Sequence, residues 1–139
     1  MKRYKIIHHT ADLGFEVRAP DLSTLFLEAA RALFDLSYGI KAVKAETEVD
    51  IQLQADDWEN LMVKWLNELI FLMEARSYFV CRLEVMVQHT YRLSARLRGE
   101  TIHPPKNCCL RHIKAATYHN LKIHCGLNEE WSAQVILDV

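Results

Sequence analysis

Carboxylate groups near the two ends of the chain are the residues best suited to chemistry. Asp12 lies in the segment His9-Thr10-Ala11-Asp12-Leu13-Gly14, and Asp138-Val139 adds a side-chain carboxylate and an α-carboxylate at the other end. Carboxylate oxygens are the ligands that Ca²⁺ and Mg²⁺ prefer, and converging carboxylates repel one another unless a cation lies between them. If the two ends pair in one sheet, these three groups predict a divalent-cation site. The alternative is an Asx-type turn at Asp12 and a solvated Asp138.

Other reactive side chains give weaker signals. The seven histidines are scattered, and no pair has the four-residue spacing of a helical zinc motif. His9 and His119 each lie at the end of a predicted strand, where a histidine could orient a carboxylate, reach a partner or make a purely structural hydrogen bond. Lys114 next to the acidic groups could tune their electrostatics or contact a phosphate, or it could simply be solvated.

Enzyme motifs are missing from the sequence. No nucleophile stands beside a base, no glycine-rich phosphate loop is present, and no serine lies in a nucleophile elbow. The sequence therefore favours a protein that acts by binding, not by independent catalysis.

Strands predicted at both ends would position the carboxylates. Tyr4-Lys5-Ile6-Ile7 reads as a short strand before the His9 segment, and Trp131 to Asp138 alternates apolar and polar residues. Alternation also predicts strands at Phe15–Ala19, Glu48–Leu53, Arg82–Gln88, Arg92–Arg98, Ile113–Tyr118 and Leu121–His124. Cys81 continues the apolar phase of one of them, which predicts a core position.

Two helices are predicted between the strands. Asp21 can cap the first, which ends at Tyr38-Gly39, and the second begins near Asp56-Asp57. Their apolar residues follow the three-four spacing of a buried face: Leu22, Leu25, Phe26, Ala29, Ala30, Leu33 and Leu36 in the first, and Leu61, Met62, Trp65, Leu66, Leu69, Ile70 and Met73 in the second. Strands with one polar face and two amphipathic helices packed on the other predict an α+β fold with largely antiparallel sheets.

Composition sets the remaining expectations. The chain has 139 residues, of which 50% are hydrophobic, and a net charge of -1. It fits one domain over residues 1–139 and argues against strongly electrostatic binding to a nucleic acid or a membrane. No signal sequence or apolar run of membrane-spanning length is present, so we expect a cytoplasmic protein with its four cysteines reduced. The stretch from Gly99 to His112, which contains Cys108-Cys109, predicts a long loop of unassigned role.

The ordered set of segments resembles the archease family. The opening His-Thr-Ala-Asp motif matches His9–Asp12, the second-helix signature matches Trp65–Ile70, and Gly99-Glu100 matches a loop pair. The late strand Lys114-Ala115-Ala116-Thr117-Tyr118-His119 and the ending Leu137-Asp138-Val139 complete the likeness over nearly the whole chain. One departure is His8, where many members carry an acidic residue.

The resemblance implies a non-enzymatic protein cofactor of the RtcB-type tRNA-splicing RNA ligase. Such a protein promotes guanylylation of the ligase's active-site histidine, and its cation, most often calcium with Mg²⁺ or Mn²⁺ as alternatives, is held at positions that match Asp12, Asp138 and Val139. His9, Lys114, Tyr118 and His119 would support the site or contact the partner. A rival from another class is a chaperone-like modulator of a tRNA-modifying enzyme such as an RNA methyltransferase. A metal-dependent hydrolase and direct RNA contact through Arg92, Arg96 and Arg98 are further alternatives.

Overall fold

The structure is a computed structural model that describes residues 3–8, 13–38, 43–102 and 111–139. Two helices and eight strands alternate along these ranges. In chain order they are β1 (Tyr4–His8), β2 (Leu13–Ala19), α1 (Leu22–Ser37), β3 (Thr47–Gln54), α2 (Trp58–Arg76), β4 (Tyr78–Gln88), β5 (Arg92–Thr101), β6 (Ala115–Ala116), β7 (Ile123–Cys125) and β8 (Trp131–Asp138).

The strands form two antiparallel sheets. In the first, the order is β1-β2-β8-β6, and β7 pairs with β8 beside β6; in the second, the order is β3-β5-β4. All described strand pairs are antiparallel. Buried side chains of both sheets and both helices join in one hydrophobic core. The predicted α+β class is confirmed.

Both helices begin at the predicted caps. The side chain of Asp21 accepts a hydrogen bond from the backbone N–H of Thr24 at 2.7 Å, and Asp57 accepts one from Asn60 at 2.7 Å. These bonds satisfy N–H groups that have no partner inside the helix. Helix α2 ends at Ser77, which adopts a left-handed conformation with φ of 51°.

Helix α1 is buried more widely than its predicted face. Glu28, Ala32, Phe34 and Ser37 are buried along with the residues of the three-four pattern. The reason is that α1 contacts strands of both sheets, including β2 of the first and β4 of the second. A helix that is covered on more than one side needs small or apolar residues around most of its circumference.

The predicted loop from Gly99 was wrong at its start. Residues 99–101 continue strand β5, and Gly99 pairs with Thr47 on one side and Val80 on the other. A Cβ at Gly99 would lie 1.9 Å from the carbonyl oxygen of Phe79, so the backbones of β4 and β5 approach too closely for any side chain there. Residues 103–110, with Cys108 and Cys109, lie outside the described residues.

Cys81 lies at an irregularity of the second sheet. The pairing of β4 with β5 shifts between Val80 and Arg82, so an extra residue enters the strand at Cys81. Its side chain is half-buried, packs against the core and donates from Sγ to the carbonyl oxygen of Arg98 at 3.4 Å. The predicted core position therefore holds only in part, because a shift in register interrupts the alternation on which it was based.

Candidate functional site

The last strand of the chain, β8, lies beside the second strand, β2, and β1 pairs with the other side of β2. Strand β2 pairs with β8, and Leu13 lies opposite Leu137. Asp138 is the last residue of β8, and it is exposed, as is Val139 after it. Two of the three predicted cation ligands, Asp138 and the Val139 carboxylate, thus lie together at the end of strand β8. Asp12, the residue before Leu13 in the chain, and His9 lie outside the described residues.

Gly14 allows the close contact between β2 and β8. It lies opposite Ile136, and a Cβ at this position would be 2.4 Å from the carbonyl oxygen of Val135 and 3.1 Å from Cδ1 of Ile136. Contacts under 3 Å force the strands apart. The glycine of the His9–Gly14 segment is therefore needed for the register that places Leu13 beside Leu137.

The backbone of Asp138 is held from its other side by the segment that leads into β6. The N–H of Lys114 donates to the carbonyl oxygen of Asp138 at 2.8 Å, and Ala115 is the partner of Asp138 in the sheet. Thr117 adds two bonds to the carbonyl oxygen of Ile136, from its N–H at 3.0 Å and its hydroxyl at 2.8 Å. Lys114, predicted as a charge near the site, contacts Asp138 through its backbone, and its side chain is exposed.

The strand predicted over Ile113–Tyr118 is much shorter than expected. Only Ala115 and Ala116 pair in the regular manner of a ladder. Residues 117–120 lead instead into a turn, in which Asn120 has a positive φ of 53° and the N–H of Leu121 donates to the carbonyl oxygen of Tyr118. Tyr118 and His119 thus lie at the start of this turn, next to β6.

Tyr118 and His119 are both exposed. The Tyr118 hydroxyl donates to Oδ1 of Asn60 at the beginning of α2, yet 56% of the residue's surface remains accessible. The backbone N–H of His119 donates to the Thr117 hydroxyl at 3.3 Å, and its ring lies near the side chain of Asn120. Among the described residues, neither ring is held by a hydrogen bond to a carboxylate.

One polar stripe of α2 follows the segment of residues 112–118. Asn60 bonds Tyr118, Asn67 accepts from the N–H of Ala116 at 2.8 Å, and Glu74 lies 3.2 Å from Nδ1 of His112. These positions are seven residues apart and share one helix face, to which Phe71 also belongs because it is four residues after Asn67. We call Asn60, Asn67, Phe71 and Glu74 the α2 stripe.

Sequence reasoning gave Asn67 no role in the site. In the sequence, Asn67-Glu68 interrupts the apolar register of the helix. That interruption is the signal: a polar side chain at the edge of a buried face needs a hydrogen-bond partner, which here is the backbone of β6. Lys64, on the same helix, donates from Nζ to the carbonyl oxygen of Gln54 at 2.8 Å.

The chemistry of the available donors fits a hard cation. The carboxylates of Asp138 and of the end of the chain supply oxygen atoms, and no imidazole or thiol joins them among the described residues. Within residues 3–8, 13–38, 43–102 and 111–139, no group of three or more His, Cys, Asp or Glu side chains could hold a metal ion. The described carboxylates alone therefore do not make up the predicted cation site.

Two arginines of β5 are paired with acidic residues of β3. Nε of Arg96 lies 3.1 Å from Oδ1 of Asp50, and Arg98 lies 3.1 Å from Oε1 of Glu48. The hydrogen bond from Arg96 to Asp50 raises the pKa of the Arg96 guanidinium. This face of the second sheet carries mixed charge, so its arginines alone do not indicate an RNA-binding surface.

Comparisons with known proteins agree along the whole chain. The model of the archease protein family (MTH1598/TM1083) matches residues 4–139. The chain is 30% identical to a protein archease of Pyrococcus abyssi over 142 residues, which covers 100% of both chains, and 34% identical to one of Methanopyrus kandleri over 136 residues, 96% of both. It superposes on the solution structure of Methanobacterium thermoautotrophicum protein 1598 with a TM-score of 0.83, 27% identity and 100% coverage of both. Neither described helix is long and apolar enough to cross a membrane. The chain belongs to the archease family.

Proposed function

We propose that this protein is a non-enzymatic activator of an RtcB-type RNA ligase in tRNA splicing and RNA repair. It binds the ligase and promotes guanylylation of the ligase's active-site histidine. Asp12, Asp138 and the Val139 carboxylate hold a divalent cation, Ca²⁺ in the first place with Mg²⁺ or Mn²⁺ as alternatives. Membership of the archease family supports the partner, and the carboxylates at the end of β8 support the cation.

The pairing of Leu13 with Leu137 is the observation that carries the proposal. Each of the two leucines is bonded to a carboxylate-bearing residue, Asp12 on one side and Asp138 on the other. We propose that Asp12, whose Cα is about 3.8 Å from that of Leu13 along the chain, comes close to Asp138. Two carboxylates that close repel each other, and a bound divalent cation supplies the positive charge that removes the repulsion.

Exposed apolar side chains near this edge would form the contact with the ligase. Phe71 of the α2 stripe is 47% exposed, its ring centroid lies 5.5 Å from Cζ of Arg76, and Val139 is 46% exposed. Phe71 lies on α2 between Asn67 and Glu74, whose partners Ala116 and His112 flank the segment that bonds Asp138. Aromatic residues and arginine are enriched at protein interfaces, so we propose that Phe71, Arg76 and Tyr118 contact the ligase.

A guanylylation assay with purified ligase and GTP tests the proposal. We expect the parent chain to raise the amount of ligase-GMP and the number of turnovers, and Asp12→Asn and Asp138→Asn to abolish that stimulation with the fold intact. Asp50→Asn is the matched control, because Asp50 is an exposed aspartate of β3 in the other sheet and contacts Arg96. Full stimulation by both site variants would contradict the proposal.

A second experiment tests the chain end. A version extended by a few residues beyond Val139 moves the α-carboxylate away and leaves Asp138 in place. We expect it to bind calcium more weakly and to stimulate the ligase less than the parent chain. Equal calcium affinity in both versions would remove the Val139 carboxylate from the ligand set.

A chaperone-like role is less well supported. The exposed large apolar residues of the described part are spread over the chain: Phe71 on α2, Met86 on β4, and Tyr118, Leu127 and Val139 outside the helices and strands. Recovery of an RNA methyltransferase, and not of the ligase, as the protein bound to this chain in its native cell would favour that role. Recovery of the ligase supports the present proposal.

A further inference from the structure

We propose that Asn67 is a positioning residue for the cation site: its amide fixes the backbone of β6, which in turn fixes Asp138. This inference rests on the proposed function for the identity of the site. Its structural part, the link from Asn67 to Asp138, rests on hydrogen bonds among described residues alone.

The register of β6 against β8 is the first step. Ala115 lies opposite Asp138 and Ala116 opposite Leu137, and the N–H groups of Lys114 and Thr117 donate to the carbonyl oxygens of Asp138 and Ile136, at 2.8 and 3.0 Å. Successive residues of a strand direct their N–H groups to opposite sides, so Ala116, the neighbour of Thr117, directs its N–H away from β8. Strand β6 is the outermost strand on this side of the sheet, and among the described residues no further strand supplies a partner for that N–H.

Asn67 provides the partner for that group. The N–H of Ala116 points away from β8 and donates to Oδ1 of Asn67 at 2.8 Å. Ala116 is buried, with 5% of its surface exposed, so water has little access to replace the amide oxygen. Because buried N–H groups are almost always paired, loss of Asn67 would force β6 to shift.

A shift of β6 acts directly on Asp138. Strand β6 has two residues, too few to fix itself by strand pairing alone, and the Lys114 bond to the Asp138 carbonyl lies at its start. The side chain of Asp138 is exposed, so the position of its carboxylate follows from its backbone. Loss of a group that orients a metal ligand typically lowers metal affinity by about 10–100-fold.

Glu59 offers a matched comparison on the same helix. Its Oε2 accepts from the N–H of Ile123 at 2.8 Å, which holds β7 as Asn67 holds β6. However, β7 pairs with β8 through Ala133, at the end of β8 that is distant from Asp138. Removing either acceptor disturbs a short strand, and only one of these strands borders the site.

The experiment combines calcium titration calorimetry with amide hydrogen exchange of the intact chain. We expect Asn67→Ala to weaken calcium binding by about 10–100-fold and to speed exchange at Lys114 and Thr117. Asn67→Asp keeps an acceptor oxygen and should retain slow exchange, while Glu59→Ala should speed exchange at Ile123 and keep calcium affinity. Should Asn67→Ala fail to fold, Asn67→Gln, which displaces the acceptor by one methylene, should give a smaller loss in the same direction.

The outcomes separate the two proposals. Parent-like affinity and exchange in the folded Asn67 variants overturn the role of Asn67, and so does an equal loss of calcium affinity in Glu59→Ala. A parent chain that binds no calcium, magnesium or manganese overturns the cation site itself. In that case, fast exchange at Lys114 and Thr117 in Asn67→Ala still supports the link from Asn67 to Asp138, and unchanged exchange overturns it.

Discussion

The hydroxyl of Tyr38 makes two hydrogen bonds to Val80: it donates to the carbonyl oxygen at 2.6 Å and accepts from the N–H at 2.8 Å. Tyr38 caps the end of α1, and Val80 lies on the outer edge of β4 next to the irregularity at Cys81. A single side chain therefore closes an open strand edge and joins α1 to the second sheet.

Tyr38→Phe should destabilise the protein by about 1–3 kcal/mol, since it leaves a buried N–H and a buried carbonyl without their partner. Urea unfolding monitored by circular dichroism measures the change. Tyr118→Phe removes a hydroxyl from an exposed tyrosine and should change stability by about 0.5 kcal/mol or less. Equal losses of stability in the two variants would show that the hydrogen bonds from Tyr38 to Val80 do not stabilise the fold.

Gly14→Ala should destabilise the protein by about 1–3 kcal/mol through overpacking, and it should also weaken calcium binding because β2 and β8 must separate. Gly99→Ala serves as the control. Its Cβ meets the Phe79 carbonyl at 1.9 Å in the second sheet, so it should destabilise without changing calcium affinity. Thermal unfolding and calorimetric titration measure the two effects, and unchanged calcium affinity in Gly14→Ala would contradict the proposed location of the site.

Calcium should stabilise the folded protein, because the proposed ligands converge only in the native state. At a calcium concentration about 100 times Kd, the expected gain is about 2.7 kcal/mol, seen as a higher Tm that EDTA reverses. The gain should vanish in Asp12→Asn and Asp138→Asn and persist in Asp50→Asn. A calcium-dependent Tm in all three variants would place the ion elsewhere.

Phe71→Ser and Tyr118→Ser should each weaken ligase binding by about 5–30-fold, as expected for aromatic residues that become buried in an interface. Met86→Ser is the matched control, because Met86 is 61% exposed on β4 of the second sheet. Binding of the variants to immobilised ligase gives the comparison. A loss of affinity with Met86→Ser alone would move the interface to the second sheet.

Local sequence patterns predicted the starts of the helices and the buried faces of several strands. Asp21 and Asp57 cap the two helices as expected, because a carboxylate before an apolar three-four pattern has one dominant use. The alternation in β3, β5 and β8 also gives the right buried faces. These features depend only on residues that are close together in the sequence, so they can be predicted from it.

Features that depend on distant backbone were not predictable. The sequence could not show that Gly99 packs against the carbonyl of Phe79, that a register shift moves Cys81 from the core, or that α1 touches two sheets. In the candidate site, the condition that strands from both ends of the chain share one sheet is observed, whereas the strand order that puts β2 between β1 and β8 was not predicted. The roles of Asp12 and His9 stay predictions, and Asn67 emerged only from its contact with Ala116.

The burial of α1 between strands of both sheets has a consequence for how the molecule comes apart. Neither sheet can detach without exposing the core side chains of that helix to water, so local opening at one end is costly and unfolding should be a single cooperative event. Heat or denaturant should then unfold the end of β8 at Asp138 together with the second sheet. A mutation far from Asp138 can therefore abolish the protein's function by lowering its melting temperature alone.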